Sequence, residues 1–195
     1  PLQASWTLML RQTLPYLYTP NQLALNTDDP ANDNYAILES LESCRKPDGH
    51  FNFKLSWPEN TDLQDQVWKQ TSNPVTHTGA AQGYEPIDVP YTQHRWGGLE
   101  KNGGPALLDG SIGGMWWYAV GARQKHANGI PAAYNVVQKV ELFADCDTPP
   151  PPPPPPPTTT PLQASWTLML RQTLPYLYTP NQLALNTDDP ANDNY

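Results

Sequence analysis

Residues 149–157 are nine consecutive prolines. No other stretch so narrows what this chain can fold into. Each proline fixes φ near about −65° and removes a backbone N–H, so the run is excluded from helix and from sheet. It is expected to be polyproline II, rising about 3.1 Å per residue, or about 28 Å for the run. Such a segment is a semi-rigid spacer that holds what flanks it at a set distance.

The chain then starts again. Residues 161–195 repeat residues 1–35 letter for letter, an offset of 160 residues. That period is too long for a solenoid repeat and about the length of a whole domain. The pattern reads as a tandem array of domains joined by proline linkers. An artificial duplication is the alternative, although nothing resembles a tag or a cloning scar. The array reading predicts a much longer parent protein. It divides the chain into an N-terminal segment (1–43), a core (44–146), the linker (147–160) and the start of the next repeat (161–195).

The net charge is −8 for the chain and −2 for its last 35 residues (Arg171 against Asp188, Asp189 and Asp193), hence −6 for one unit. That acidity argues against nucleic acid and anionic membrane surfaces as partners. No apolar run approaches the length of a transmembrane helix. The two cysteines, Cys44 and Cys146, bracket the most strand-like part of the chain and lie in polar, turn-like flanks. A disulfide between them is expected, which suits an extracellular protein. Closing a loop of that size is worth about 4–5 kcal/mol in the chain-entropy model.

From Cys44 onward the periodicity is that of strands. "HFNFKLSW" puts Phe51, Phe53, Leu55 and Trp57 on one face. "PIDVPYT" puts Ile87, Val89 and Tyr91 inward, with Pro90 marking an edge strand. "MWWYAVGA" is apolar on both faces and reads as a central, doubly covered strand. "NVVQKVELF" puts Val136, Val140 and Leu142 inward and Lys139 and Glu141 outward. Turn signals "PDG" (47–49), "NGG" (102–104), "DGS" (109–111) and "NGIP" (128–131) separate these runs. The expected class is all-β, a β-sandwich or jelly roll with one disulfide. The N-terminal segment is mixed. Trp6, Leu8 and Leu10 alternate with Thr7, Met9 and Arg11, which permits a strand. Tyr35, Leu38 and Leu41 fit one face of a short helix capped by Asp33 or Asn34. The apolar residues of 1–43 either cover their own core or dock on a neighbouring domain or chain as a donated strand.

The landmarks "WKQTSNPV" (68–75), "WGGLE" (96–100), "LLDGS" (107–111) and "WWYAVG" (116–121) give residues 50–144 a resemblance to a module of extracellular multidomain proteins from protists, algae and marine invertebrates. The resemblance implies location and no particular chemistry. The proline run, for its part, resembles the hydroxyproline-rich segments of algal and plant extracellular glycoproteins, which include cell-wall proteins and the flagellar hairs called mastigonemes. Together they imply a secreted, repetitive, glycan-bearing structural protein that assembles with neighbouring repeats or copies of itself. If hydroxylated, Pro149, Pro150, Pro151, Pro152, Pro153, Pro154, Pro155, Pro156 and Pro157 become sites for O-linked sugars, as do Thr148, Thr158, Thr159 and Thr160. The sequence holds no N-x-S/T acceptor. An unmodified spacer, or a ligand for a proline-binding domain, is the plainer alternative.

No catalytic constellation is evident, and an enzyme is not expected. His50, His77, His94 and His126 are scattered, with none at metal-ligand spacing. Arg95 or His94 in "HRW" packs on an aromatic ring in the simplest reading. Asp109 looks like a turn residue bonding local N–H groups. Asn26, Asp28, Asp29 and Asp33 in "NTDDPANDN" are oxygen-rich, but lack the spacing of a calcium loop, and a solvated loop is the expectation. Trp96, Trp116 and Trp117 form either a sugar-binding platform or core packing, the second being favoured in so apolar a stretch. No cofactor is implied. The alternative to a filament repeat is a lectin-like carbohydrate-binding module displayed in tandem, where repetition multiplies weak binding.

Overall fold

The computed structural model describes residues 5–94, 96–110, 117–133 and 135–147. The proline run and the second copy (161–195) lie outside them, as do Arg95 and Trp116. The described chain is all-β, with antiparallel sheets and one disulfide. Seven strands form the larger sheet, in the order β2-β3-β1-β12-β4-β5-β6. They are β1 (Trp6–Thr13), β2 (Ala24–Leu25), β3 (Tyr35–Ile37), β4 (Phe51–Ser56), β5 (Gln66–Gln70), β6 (Glu85–Asp88) and β12 (Lys139–Asp145). A three-stranded sheet holds β7 (Leu99–Lys101), β8 (Ala106–Gly110) and β9 (Val120–Ala122). β10 (Ile130–Ala132) and β11 (Asn135–Val137) make a hairpin.

The alternation read in β4 is found there. Phe51, Phe53 and Leu55 are fully buried, and Trp57 nearly so, while Asn52 and Lys54 are half-buried on the other face. Phe53 stacks toward Phe51 and toward Trp68 of β5, with centroids at 5.6 and 5.4 Å. Trp68 meets Trp96 edge-on at 4.8 Å, and Trp96 meets Tyr118 at 4.7 Å. This aromatic series carries the core from the larger sheet to the chain entering β9. Trp96 is therefore a core residue, as the apolar composition favoured.

Two buried glutamines tie the sheets together. Gln12 of β1 donates to the Ala122 carbonyl at 2.9 Å and accepts the Ala122 amide at 2.7 Å. Gln70 of β5 does the same to Leu99, donating at 3.0 Å and accepting at 2.9 Å. In each case one amide side chain pairs with both the amide and the carbonyl of a terminal residue in the smaller sheet, the Ala122 carbonyl also accepting the Tyr18 amide at 3.0 Å.

β1 lies between β3 and β12, so residues 6–13 complete the sheet formed by the strands between the cysteines. Its alternation is broken by a bulge. Leu8 stands opposite Phe143 but Leu10 opposite Leu142, and Met9 is the extra residue. Trp6 and Leu8 consequently fall on the outer face and Leu10 and Gln12 on the inner one, with Met9 also buried. A bulge inserts one residue and flips the faces beyond it.

Four finer expectations are corrected. The helix of 34–43 is a 3-10 helix over Leu38–Cys44, preceded by strand β3. Leu38, Leu41 and Cys44 form its buried face, and Ile37 takes the cap position without a side-chain bond. Spacing of three is the natural period of a 3-10 helix, and Asn34 instead accepts the Thr13 amide at 2.9 Å. β6 is an edge strand, but it ends at Asp88 and turns Ile87 outward at 56% exposure. A register shift opposite Val67 and Trp68 disrupts the alternation there. Of the run at 115–122, the described residues 117–122 contribute only Val120–Ala122 as strand, at the edge of the smaller sheet. Gly121 adopts φ +67°, with the Leu107 side chain 2.7 Å from where a Cβ would stand. Finally, β11 and β12 are separate strands that part at Gln138, so Val137 is buried and Val136 only half-buried.

Candidate functional site

β1 begins where β12 ends. Trp6 pairs with Asp145, so the incoming and outgoing chains are neighbours at one end of the larger sheet. The Ser5 amide donates to Asp145 Oδ1 at 3.0 Å, and the Cys146 amide donates to the Ser5 carbonyl at 3.3 Å. Asn52 of β4 donates to Asp145 Oδ2 at 3.2 Å. Lys46 reaches Asp145 at 3.3 Å and Asp147 at 2.5 Å. Burial pulls the Lys46 ammonium downward, but its hydrogen bonds to Asp147 and Asp145 and their charges outweigh that, and its pKa rises.

The disulfide Cys44–Cys146 closes this junction from the other side, joining the end of the 3-10 helix to the residue after β12. Both sulfurs are buried within the core cluster. The pairing expected from the sequence is present. Asp145 and Asp147, both bonded to Lys46, stand three residues and one residue before the linker's first threonine, Thr148, in the sequence. The O-glycan candidates, residues 148–160, lie outside the described residues.

The other candidates are dispersed. His50 lies between Asp48 and Glu85, with its ring nitrogens at 3.5 and 3.7 Å from their carboxylates. His77 contacts the Ala80 carbonyl at 3.2 Å. His94 and His126 both pack on Trp117, at 4.8 and 5.2 Å between centroids. Half-buried Trp117 is thus the one tryptophan of the expected platform that the described residues leave partly exposed. In the oxygen-rich loop, Asn26 donates to the Asn34 carbonyl, Asp29 accepts from the Ala31 amide and from Asn32, and Asp33 reaches Lys139 at 3.5 Å. These groups face one another and their neighbours and do not converge on a common point. No helix among the described residues is long and apolar enough to cross a membrane.

Asp109 is not a turn residue. It lies in β8, directly opposite Glu100 of β7, and both are buried. Asn102 donates to its Oδ2. Desolvation first, and the Glu100 charge second, push the Asp109 carboxyl up to about 7 against the Asn102 hydrogen bond. Sequence reasoning missed this carboxylate pair. The "NGG" at 102–104 signals the reversal but not the register, which is centred between Gly104 and Pro105.

Comparison with protein-family models, with curated proteins and with solved structures finds no match.

Proposed function

We propose that this chain is a structural repeat of an extracellular glycoprotein filament, in which β domains are spaced by a stiff, O-glycosylated polyproline rod. The observation that supports the reading most is the junction. Ser5, Asp145 and Cys146 hold the incoming and outgoing chain side by side, and the proline run begins three residues beyond Cys146. In this reading, tension between successive linkers acts on the Ser5, Asp145 and Cys146 junction. The disulfide suits an oxidising compartment. The partners are neighbouring repeats, further copies of the chain and covalent sugars. An antibody to the β domain should decorate an extracellular fibre at regular intervals in immuno-electron microscopy. Labelling confined to dispersed single molecules would overturn the reading.

A lectin-like module is the second reading, favoured by Trp117 with its flanking histidine rings. Aromatic faces take up sugar rings. A glycan array probed with the chain and with Trp117→Ala separates the two, since only a lectin loses binding on the substitution.

A further inference from the structure

The sequence holds two Asn-Gly pairs, Asn102–Gly103 and Asn128–Gly129. Glycine after asparagine removes the Cβ that would keep the following backbone nitrogen off the side-chain carbonyl carbon. The fold treats the two pairs differently. Asn102 Oδ1 accepts the Gly104 amide at 2.6 Å, which lays the side chain along the backbone of Gly103. Asn102 Nδ2 donates to Asp109 Oδ2. Gly103 is exposed, and its amide has no acceptor among the described residues. At the other pair, buried Gly129 donates its amide to the His126 carbonyl at 3.1 Å. The exposed Asn128 side chain has no hydrogen bond among the described residues.

We infer that Asn102 is a self-modifying site, which the Gly104 amide and the Asp109 carboxyl convert to aspartate and isoaspartate through a cyclic imide with Gly103. The parts of an acyl-transfer site stand together here. The Gly103 nitrogen, unbonded and beside Asn102 Cγ, is the nucleophile. The Gly104 N–H already points at Oδ1, where negative charge gathers as the nitrogen attacks. Asp109 stands at Nδ2, the nitrogen that leaves. Burial, and Glu100 opposite, push its carboxyl up to about 7, so a share of folded chains holds a proton there at neutral pH. The Gly103 nitrogen bonds to Cγ and gives its proton to solvent. Asp109 protonates Nδ2, the Cγ–Nδ2 bond breaks, and ammonia departs. Asp109 recovers a proton from solvent, and water opens the imide at either carbonyl. The product sets a new carboxylate against buried Asp109 and Glu100, in the turn between β7 and β8. The inference rests on neither the filament nor the lectin reading.

The test holds the full chain at neutral pH, folded and in urea. Peptide-resolved mass spectrometry follows deamidation at Asn102 and Asn128, with isoaspartate counted separately. The chain in urea supplies the reference rate for each asparagine. In the folded chain Asn102 should react about tenfold faster than in urea. Asp109→Asn keeps the hydrogen bond and lacks the acid, and should return Asn102 to about its rate in urea, with fragment ions separating residue 102 from residue 109. Comparing the folded with the unfolded native chain requires no variant to fold. Three outcomes overturn the inference: a folded rate at Asn102 no higher than in urea, an equal acceleration at Asn128, or a folded Asp109→Asn chain that reacts at Asn102 as fast as the native one.

Discussion

Ser5 and Asp145, 140 residues apart in sequence, are hydrogen-bonded neighbours, the serine amide donating to the aspartate carboxylate at 3.0 Å. The same carboxylate serves Asn52 and Lys46, so one side chain joins β1, β4, β12 and the residue pair beside the disulfide. Asp145→Ala should destabilise the domain by about 1–3 kcal/mol, because it leaves partly buried donors unpaired. Asp147→Ala removes only an exposed pair and should cost about 0–1 kcal/mol. Urea denaturation of the two variants gives both values.

The placement of the disulfide sets what a pulling force can extend. With Cys44 bonded to Cys146, peeling the junction frees only the chain from Ser5 to Cys44, about 40 residues or about 130 Å at full extension. After reduction, the whole stretch from Ser5 to Cys146 is released, about 140 residues or about 460 Å. Single-molecule force spectroscopy before and after reductant should show the longer step only in the second case. Reduction should also lower stability by about 3–5 kcal/mol.

Asp109 makes stability depend on pH in the direction opposite to an ordinary paired carboxylate. Its folded value of about 7 lies above the ordinary 3.8, so between those values the folded chain holds a proton that the unfolded chain has released. That contribution is complete below the unfolded value and is lost as pH rises through about 7. Asp109→Asn should therefore flatten the fall in stability over this interval. Above it, the variant should be the more stable chain by about 2 kcal/mol, allowing for residual solvent near the carboxyl. Thermal melts across the pH series compare the two slopes.

Gln12→Met preserves volume but strips the Ala122 amide of its partner and leaves the Ala122 carbonyl with the Tyr18 amide alone. One buried donor is left unpaired, and the expected loss is about 1–3 kcal/mol. Gln70→Met should behave alike at Leu99. Hydrogen exchange at Ala122 and Leu99 should accelerate in the respective variants.

Much of the fold was legible where one face dominates a strand. Phe51, Phe53 and Leu55 leave no ambiguity, and cysteines in turn-like flanks announced their bond. The pattern failed where a single residue changes parity. Met9 in β1 and Gln138 between β11 and β12 are invisible to alternation, because a bulge or a break looks like any other residue. Leu38 and Leu41 gave a true spacing and the wrong helix, since a separation of three serves both kinds. Ile87 misled because an edge strand satisfies its hydrogen bonds on one side only and tolerates an exposed β-branched residue. The junction was illegible for a different reason. Ser5, Lys46 and Asp145 are ordinary polar residues until the topology brings them together. The Glu100–Asp109 pair was not legible from the turn signal at 102–104, because the register is centred between Gly104 and Pro105 and a turn about Gly103 would set 100 against 106.

The most direct measurement is mass spectrometry of the proteolytic peptide spanning residues 147–160, taken from native material. The account predicts an added oxygen on many of the nine prolines, together with pentose or hexose increments on those prolines or on the threonines. A peptide at its unmodified mass would contradict the glycosylated rod and leave a bare spacer between domains.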